Sequence, residues 1–108
     1  MANKCRHENL NLSHTELKEI LAILKKQVPD YEVWAFGSRV RGEAKPFSDL
    51  DIVVMTEQPL SFEKRADIEA AFDESNLVFK VDVVDWANTA ESFRKIIDDC
   101  KIILQECD

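Results

Sequence analysis

Val33-Trp34-Ala35-Phe36-Gly37-Ser38, then ten residues, then Asp49-Leu50-Asp51-Ile52-Val53-Val54-Met55 is the stretch on which the reading of this chain turns. Val33–Phe36 is apolar on both alternating sets, which predicts a strand covered on both faces. Gly37 and Ser38 end it, and Arg39–Gly42 predicts a single helical turn. Glu43–Ser48 is a polar loop containing Pro46, and Leu50–Met55 is a second strand. Side chains on a strand alternate faces, so Asp49 and Asp51 point the same way. Two carboxylates about 4 Å apart repel by roughly 4 kcal/mol at an effective dielectric of 20. A divalent ion between them turns that repulsion into attraction, and Mg²⁺ takes one or two carboxylates and completes its shell with phosphate oxygens and water.

The rest of the chain supplies layers for these strands. Ser13-His14-Thr15-Glu16 has the form of a capping box, followed by Leu17, Ile20, Leu21 and Leu24 on one helical stripe that Pro29 stops. Residues 1–12 are polar and are expected to fray, leaving residues 13–108 as one domain. Ser61–Ser75 predicts a helix capped by Ser61, with Phe62, Ala66, Ile68, Ala71 and Phe72 inward. Val78–Asp85 predicts a third strand. Asn88-Thr89-Ala90-Glu91 resembles a second capping box, opening a last helix with Phe93, Ile96, Ile97, Cys100 and Leu104 on one stripe. The fold class is α/β (α+β): a small mixed sheet of about three main strands with helices packed on it.

Asp82 stands among apolar neighbours in the third strand, where a charge needs a partner or a metal. If that strand runs beside Leu50–Met55, Asp82 joins Asp49 and Asp51, and three carboxylates on neighbouring strands suit two-metal phosphoryl transfer. The helix between these strands permits a parallel crossover, while the thirteen-residue link from Gly37 to Asp49 suits an antiparallel return. That return places the Gly37-Ser38 turn beside the acids. Gly37 allows close backbone approach, the amides of Ser38 and Arg39 open a helical turn facing an anion, and Arg41 offers a guanidinium fork. Arg39 is read as turning to solvent, and Asp85, on the opposite face from Asp82, as a strand-end charge. Lys80 is read as an edge-solvated side chain, and Trp34 and Trp86 as core or interface residues.

Composition narrows the function classes. The 108 residues carry a net charge of −7, which disfavours nucleic acid and anionic membrane surfaces as partners. No stretch has the length of a membrane span and the N-terminus has no signal-like apolar region, so a cytoplasmic protein is expected. Three cysteines without CxxC spacing suggest reduced thiols, and Cys100 and Cys107 on one helix would lie about 10 Å apart, too far to bridge.

Gly37-Ser38-Arg39-Val40-Arg41-Gly42 with Ser48-Asp49-Leu50-Asp51-Ile52-Val53 resembles the signature of the minimal nucleotidyltransferases of the DNA polymerase β superfamily, and Val81-Asp82-Val83-Val84 resembles the strand bearing their third acid. The resemblance runs over roughly residues 13–104. Val40 departs from the alanine of many members, conservatively. The resemblance implies a polymerase β-like fold and Mg²⁺-dependent transfer of a nucleoside monophosphate, usually AMP from ATP, to an acceptor. It implies two Mg²⁺ ions, with Mn²⁺ as a substitute. Asp49 and Asp51 would bind both metals, Asp82 would bind the catalytic one, and Gly37, Ser38 and Arg41 would hold the nucleotide phosphates. The chain has no residues left for an acceptor-binding domain, so this is expected from another copy or another protein. The resemblance points to a small helical HEPN-type partner, as in toxin–antitoxin pairs. Two alternatives stand beside it: a non-catalytic antitoxin-like module that binds such a partner, and an enzyme modifying a small hydroxyl compound such as an aminoglycoside.

Overall fold

A computed structural model describes residues 10–42, 45 and 47–107. The elements run α1 (His14–Gln27), β1 (Val33–Phe36), α2 (Ser38–Arg41), β2 (Leu50–Val54), α3 (Phe62–Asp73), β3 (Val81–Asp85), a 3₁₀ turn (Trp86–Asn88), α4 (Glu91–Asp99) and β4 (Ile102–Gln105). The strands form one sheet in the order β3-β2-β1-β4. β1 is antiparallel to β2 and β4, and β2 is parallel to β3, as the connection lengths required.

Strand alternation divides the core into two layers. Val33, Ala35, Leu50, Ile52, Val54, Val81 and Val83 point to one face, where Ile20 and Leu24 of α1 and Ile68 and Phe72 of α3 cover them. Trp34, Phe36, Val53 and Val84 point to the other, where α4 contributes the buried Ile97. The Ser13–Glu16 capping box forms as expected: the Glu16 amide donates to the Ser13 hydroxyl at 3.1 Å, and the Ser13 amide to the Glu16 carboxylate at 2.9 Å. Ser61 caps α3 through the Lys64 amide.

Several expectations are corrected. The last helix ends at Asp99, and Ile102–Gln105 becomes a fourth strand on the open edge of β1, so Leu104 belongs to a sheet and not to a helical stripe. An Ile-Ile-Leu run satisfies either period, and pairing with an unpartnered edge decides for the strand. The Gln105 amide, donating to Val28 O and Tyr31 O at 2.8 Å each, fastens the strand's end. No capping box opens α4: its N-cap is Ala90, because Asn88 and Thr89 both turn back to Asp85. On α4, Phe93 and Ile96 stay exposed.

Phe62 is 85% exposed, against its inward placement, and Ala66 is also exposed, since α3 buries its apolar side chains only from Ile68 onward. β3 begins at Val81, opposite the first residue of β2, leaving Val78 outside the sheet. Residues 10–12, assigned to a frayed end, are fastened: the Asn11 amide donates to Arg39 O at 2.9 Å, and Leu10 and Leu12 pack on the core. The remainder of that segment and most of the 43–46 loop lie outside the described residues. Cys100 is disulfide-bonded, contrary to the reduced state expected. A cysteine count does not say which thiols the fold brings together, and the spacing argument bore only on a bridge to Cys107.

Asp85 does lie on the face opposite Asp82, yet it is 1% exposed and not a solvated charge. Its carboxylate accepts from Arg65 at 2.9 Å, from the Leu60 amide at 2.7 Å and from the Asn88 amide at 3.2 Å. Arg65 also donates to Val83 O at 2.6 Å. One buried acid thus joins β3, α3 and the turn before α4. Removing one member of such a pair leaves the others unsatisfied. Asp85→Ala is expected to destabilise the fold by about 3 kcal/mol, read from urea unfolding midpoints; an unchanged midpoint would contradict this role.

Candidate active site

The site grows from the place where β1 stops and β2 and β3 start. Antiparallel register sets Phe36, the last residue of β1, opposite Asp51, so the turn that follows passes directly by the acid. Gly37 adopts φ +86°, and a Cβ built on it would lie 2.2 Å from Asp51 Oδ2. No other residue type fits here, because the carboxylate occupies the space a side chain would need. α2 begins at Ser38, and the amides of Val40 and Arg41 return to Gly37 O at 3.0 and 3.1 Å.

Parallel pairing then places Asp82 of β3 directly across from Asp51 of β2. Asp49 precedes β2 by one residue and is exposed, as are Asp82 and Arg41. Asp51 itself is partly buried, and its carboxyl is raised from the ordinary value of 3.8 to about 6. Burial contributes most, followed by the negative charges of Asp82 and then Asp49, while Arg41 opposes the shift. Gly37 thus abuts Asp51, Asp82 lies across from it on the next strand, and the charges of Asp49 and Arg41 are near enough to act on the Asp51 carboxyl, on the sheet face that α1 and α3 leave open.

Among the described residues, no group of three His, Cys, Asp or Glu side chains forms a ready-made metal cage. The donor set still fits a divalent cation. Hard carboxylate oxygens on adjacent strands concentrate negative charge on Asp51, and Mg²⁺ is held by one or two carboxylates with the remaining positions given to water and phosphate.

Arg39 is the residue the sequence reading misjudged. It is 3% exposed and not solvated. Its guanidinium donates to Ser48 O at 3.0 Å and Asn11 O at 2.7 Å, and it stacks on the Phe79 ring at 4.0 Å. Ser48 also closes a turn with Lys45, its hydroxyl accepting the Lys45 amide at 2.9 Å. Arg39 thereby ties α2 to the residue preceding Asp49. An arginine in a polar run carries no local sign that loop carbonyls will surround it, though its adjacency to the Gly-Ser turn was visible.

Gly37→Ala is expected to push Asp51 or α2 aside and lower nucleotidyl transfer about 100-fold, since displacements near 1 Å have that effect. Gly42, at φ +80° with nothing within 4 Å of a built Cβ, provides the contrast. Gly42→Ala should cost about 1 kcal/mol of stability and leave turnover intact; equal activity losses in steady-state assays would refute the steric account. Asp51 also has a pH signature. Its raised pKa means the native state holds this proton more tightly than the unfolded chain, so stability falls as pH rises from about 4 to about 6. Asp51→Asn should remove that slope in metal-free urea unfolding and be more stable than wild type at pH 7, with the slope in wild type as the check.

Residues 17–107 match the nucleotidyltransferase domain family. The chain is 48% identical over 97 residues to the probable protein adenylyltransferase MntA of Haemophilus influenzae, covering 90% of this chain and 85% of that one. A chain of a toxin–antitoxin crystal structure with AMP-PNP superposes with TM-score 0.71 at 22% identity, over 85% of this chain and 74% of that chain. A chain of the complex between tri-AMPylated Shewanella oneidensis HEPN toxin and MNT antitoxin superposes with TM-score 0.62 at 21% identity, over 82% and 68%. These two likenesses show a shared fold. No helix among the described residues is long and apolar enough to cross a membrane. Members of the matched family generally use a divalent metal. With the Gly-Ser turn seated on Asp51, Asp82 in register beside it and a family match running through both, the chain belongs to the nucleotidyltransferase domain family and is a nucleotidyltransferase.

Proposed function

We propose that this chain is a protein adenylyltransferase, moving AMP from ATP to a hydroxyl group of a small HEPN-type helical protein in the cytoplasm. The observation that carries the reading is the in-register pair Asp51–Asp82 against the Gly37 turn. The named relative from Haemophilus influenzae and the AMPylated HEPN toxin in a structural neighbour support the acceptor class.

Asp49, Asp51 and Asp82 would hold Mg²⁺, with two ions as the expected number. The metal would supply charge neutralisation for the triphosphate and the leaving pyrophosphate. The backbone of Gly37 and Ser38 would take the β- and γ-phosphates, and Arg41 would add positive charge beside them. Asp82, exposed on the edge strand, would meet an acceptor arriving from a separate protein and orient its hydroxyl. The acceptor hydroxyl oxygen attacks the α-phosphorus and gives up its proton to solvent by way of Asp82, the bond from that phosphorus to the bridging oxygen of the β-phosphate breaks, and pyrophosphate departs. Positioning and electrostatics carry most of such a reaction.

The test is to incubate the chain with Mg²⁺, α-labelled ATP and the HEPN-type protein encoded beside it. Label should move to the partner with wild type and fall by at least about 100-fold in Asp49→Ala and Asp51→Ala, with partner binding retained. Equal neutralisation of the partner by wild type and both variants, with no label transferred, would instead make the chain a binding module.

A further inference from the structure

This inference rests on the nucleotidyltransferase reading and concerns what keeps its acids and its phosphate turn at a common spacing. Separate segments carry the site: the turn after β1, the approach to β2 and the approach to β3. Each meets the same buried side chain. Arg39 follows Gly37-Ser38 directly, inside α2. Its Nε donates to Ser48 O at 3.0 Å, and Ser48 immediately precedes Asp49. Its guanidinium lies over the Phe79 ring, 4.0 Å from the centroid, shortly before Asp82 in the chain. Its Nη1 donates to Asn11 O at 2.7 Å, and the Asn11 amide answers by donating to Arg39 O at 2.9 Å.

The acids are not held alike. Asp51 and Asp82 are paired within the sheet, whereas the register of β2 with β3 opens at Leu50↔Val81 and leaves Asp49 outside it. Asp49 is exposed, and the chain turns just ahead of it, where the Lys45 amide donates to the Ser48 hydroxyl at 2.9 Å. The Leu50 amide, donating to Lys80 O at 2.9 Å, fixes one side of Asp49. Arg39, through Ser48 O, fixes the other. An arginine suits this junction because its planar fork reaches carbonyls in different directions while its face covers a ring; a lysine ammonium is a point charge and does not. At 3% exposure the charge is costly to bury, and the carbonyls and the ring offset that cost.

We propose that Arg39 is a positioning residue for nucleotidyl transfer: through Ser48 it sets Asp49 relative to the Gly37-Ser38 turn, so that a divalent cation meets that acid and the triphosphate together. Being buried, it acts through Asp49 and not on the substrate. Groups that orient metal ligands from behind change metal affinity or activity by about 10- to 100-fold when replaced. Losing Arg39 leaves Asp51 and Asp82 in register, because the apolar layer fixes their strands, and loosens Asp49 with the residues before it.

The experiment compares the full chain with Arg39→Lys, Arg39→Met and a control, Ser61→Ala, which removes the α3 cap beyond the opposite end of β2. Melting curves set a temperature at which the variants are folded. Arg39→Lys should slow AMP transfer to the HEPN-type partner about 10- to 100-fold at saturating ATP and Mg²⁺, with the KM for ATP within about threefold of wild type. It should raise about tenfold the Mg²⁺ concentration needed for half-maximal ATP binding in calorimetric titration. Without metal or nucleotide, amide exchange across residues 47–51 should quicken about tenfold, with residues 81–85 unchanged. Arg39→Met should exceed Arg39→Lys in every reading, and Ser61→Ala should alter none. If neither arginine variant folds, Phe79→Leu, which keeps apolar bulk and removes the ring under the guanidinium, decides by the same readings. Transfer, Mg²⁺ requirement and exchange all within about twofold of wild type overturn the positioning role and leave the nucleotidyltransferase reading standing. Faster exchange spread equally over residues 81–85 overturns it too, since Arg39 would then serve stability alone. Wild type that neither binds ATP in Mg²⁺ nor transfers AMP overturns the nucleotidyltransferase reading itself, and this inference with it.

Discussion

Asp51 and Asp82 lie side by side on parallel strands, and like charges at neighbouring positions repel. Everything near them follows from holding that pair together. The backbone holds it, because the register of β2 and β3 is set by five consecutive residue pairs from Leu50↔Val81 to Val54↔Asp85. Slipping by one residue would turn Leu50, Ile52 and Val54 out of the core and bury the aspartates in their place. The hydrophobic layer under α1 and α3 is therefore what forces the two carboxylates into company on the other face. Asp51 answers by holding its proton up to a pH of about 6.

Two buried polar ties keep the surroundings of that pair in place, and both use an arginine. Arg39 draws α2, Asn11 and Ser48 together ahead of β2. Arg65 and Asp85 join α3 to the far end of β3. Planar guanidinium groups with several fixed donors suit such junctions, where carbonyls from separate loops must be satisfied at once. The site is thus braced at both ends of the strands that carry it, on the side away from solvent, while Asp49, Asp82 and Arg41 remain open to a substrate.

The motif and its setting were legible because they are local. Gly-Ser, ten residues and Asp-Leu-Asp lie within a strand, a turn and a strand, and the apolar character of Val33–Phe36 and Leu50–Val54 needs no partner to be recognised. The Ser13 capping box is local in the same sense. Where reading failed, distant residues chose the outcome. Leu104 satisfies a helical stripe on paper and joins a strand because β1 had an open edge. Phe62 has an inward-facing spacing, yet it is exposed because α3 buries its side chains only further along. Arg39 and Asp85 look like surface charges until residues 28 and 20 positions away in the chain close around them.

By itself the sequence determined the acids, their common face on β2, the glycine turn and the alternation of helix and strand, since each depends on residues within a few positions of one another. Only the tertiary structure decided that Asp82 stands directly beside Asp51, that a fourth strand closes the sheet, and that two arginines are internal braces. Those facts depend on which strand pairs with which, and in what register. That choice is made by burying both faces of the whole sheet at once, not by any segment alone.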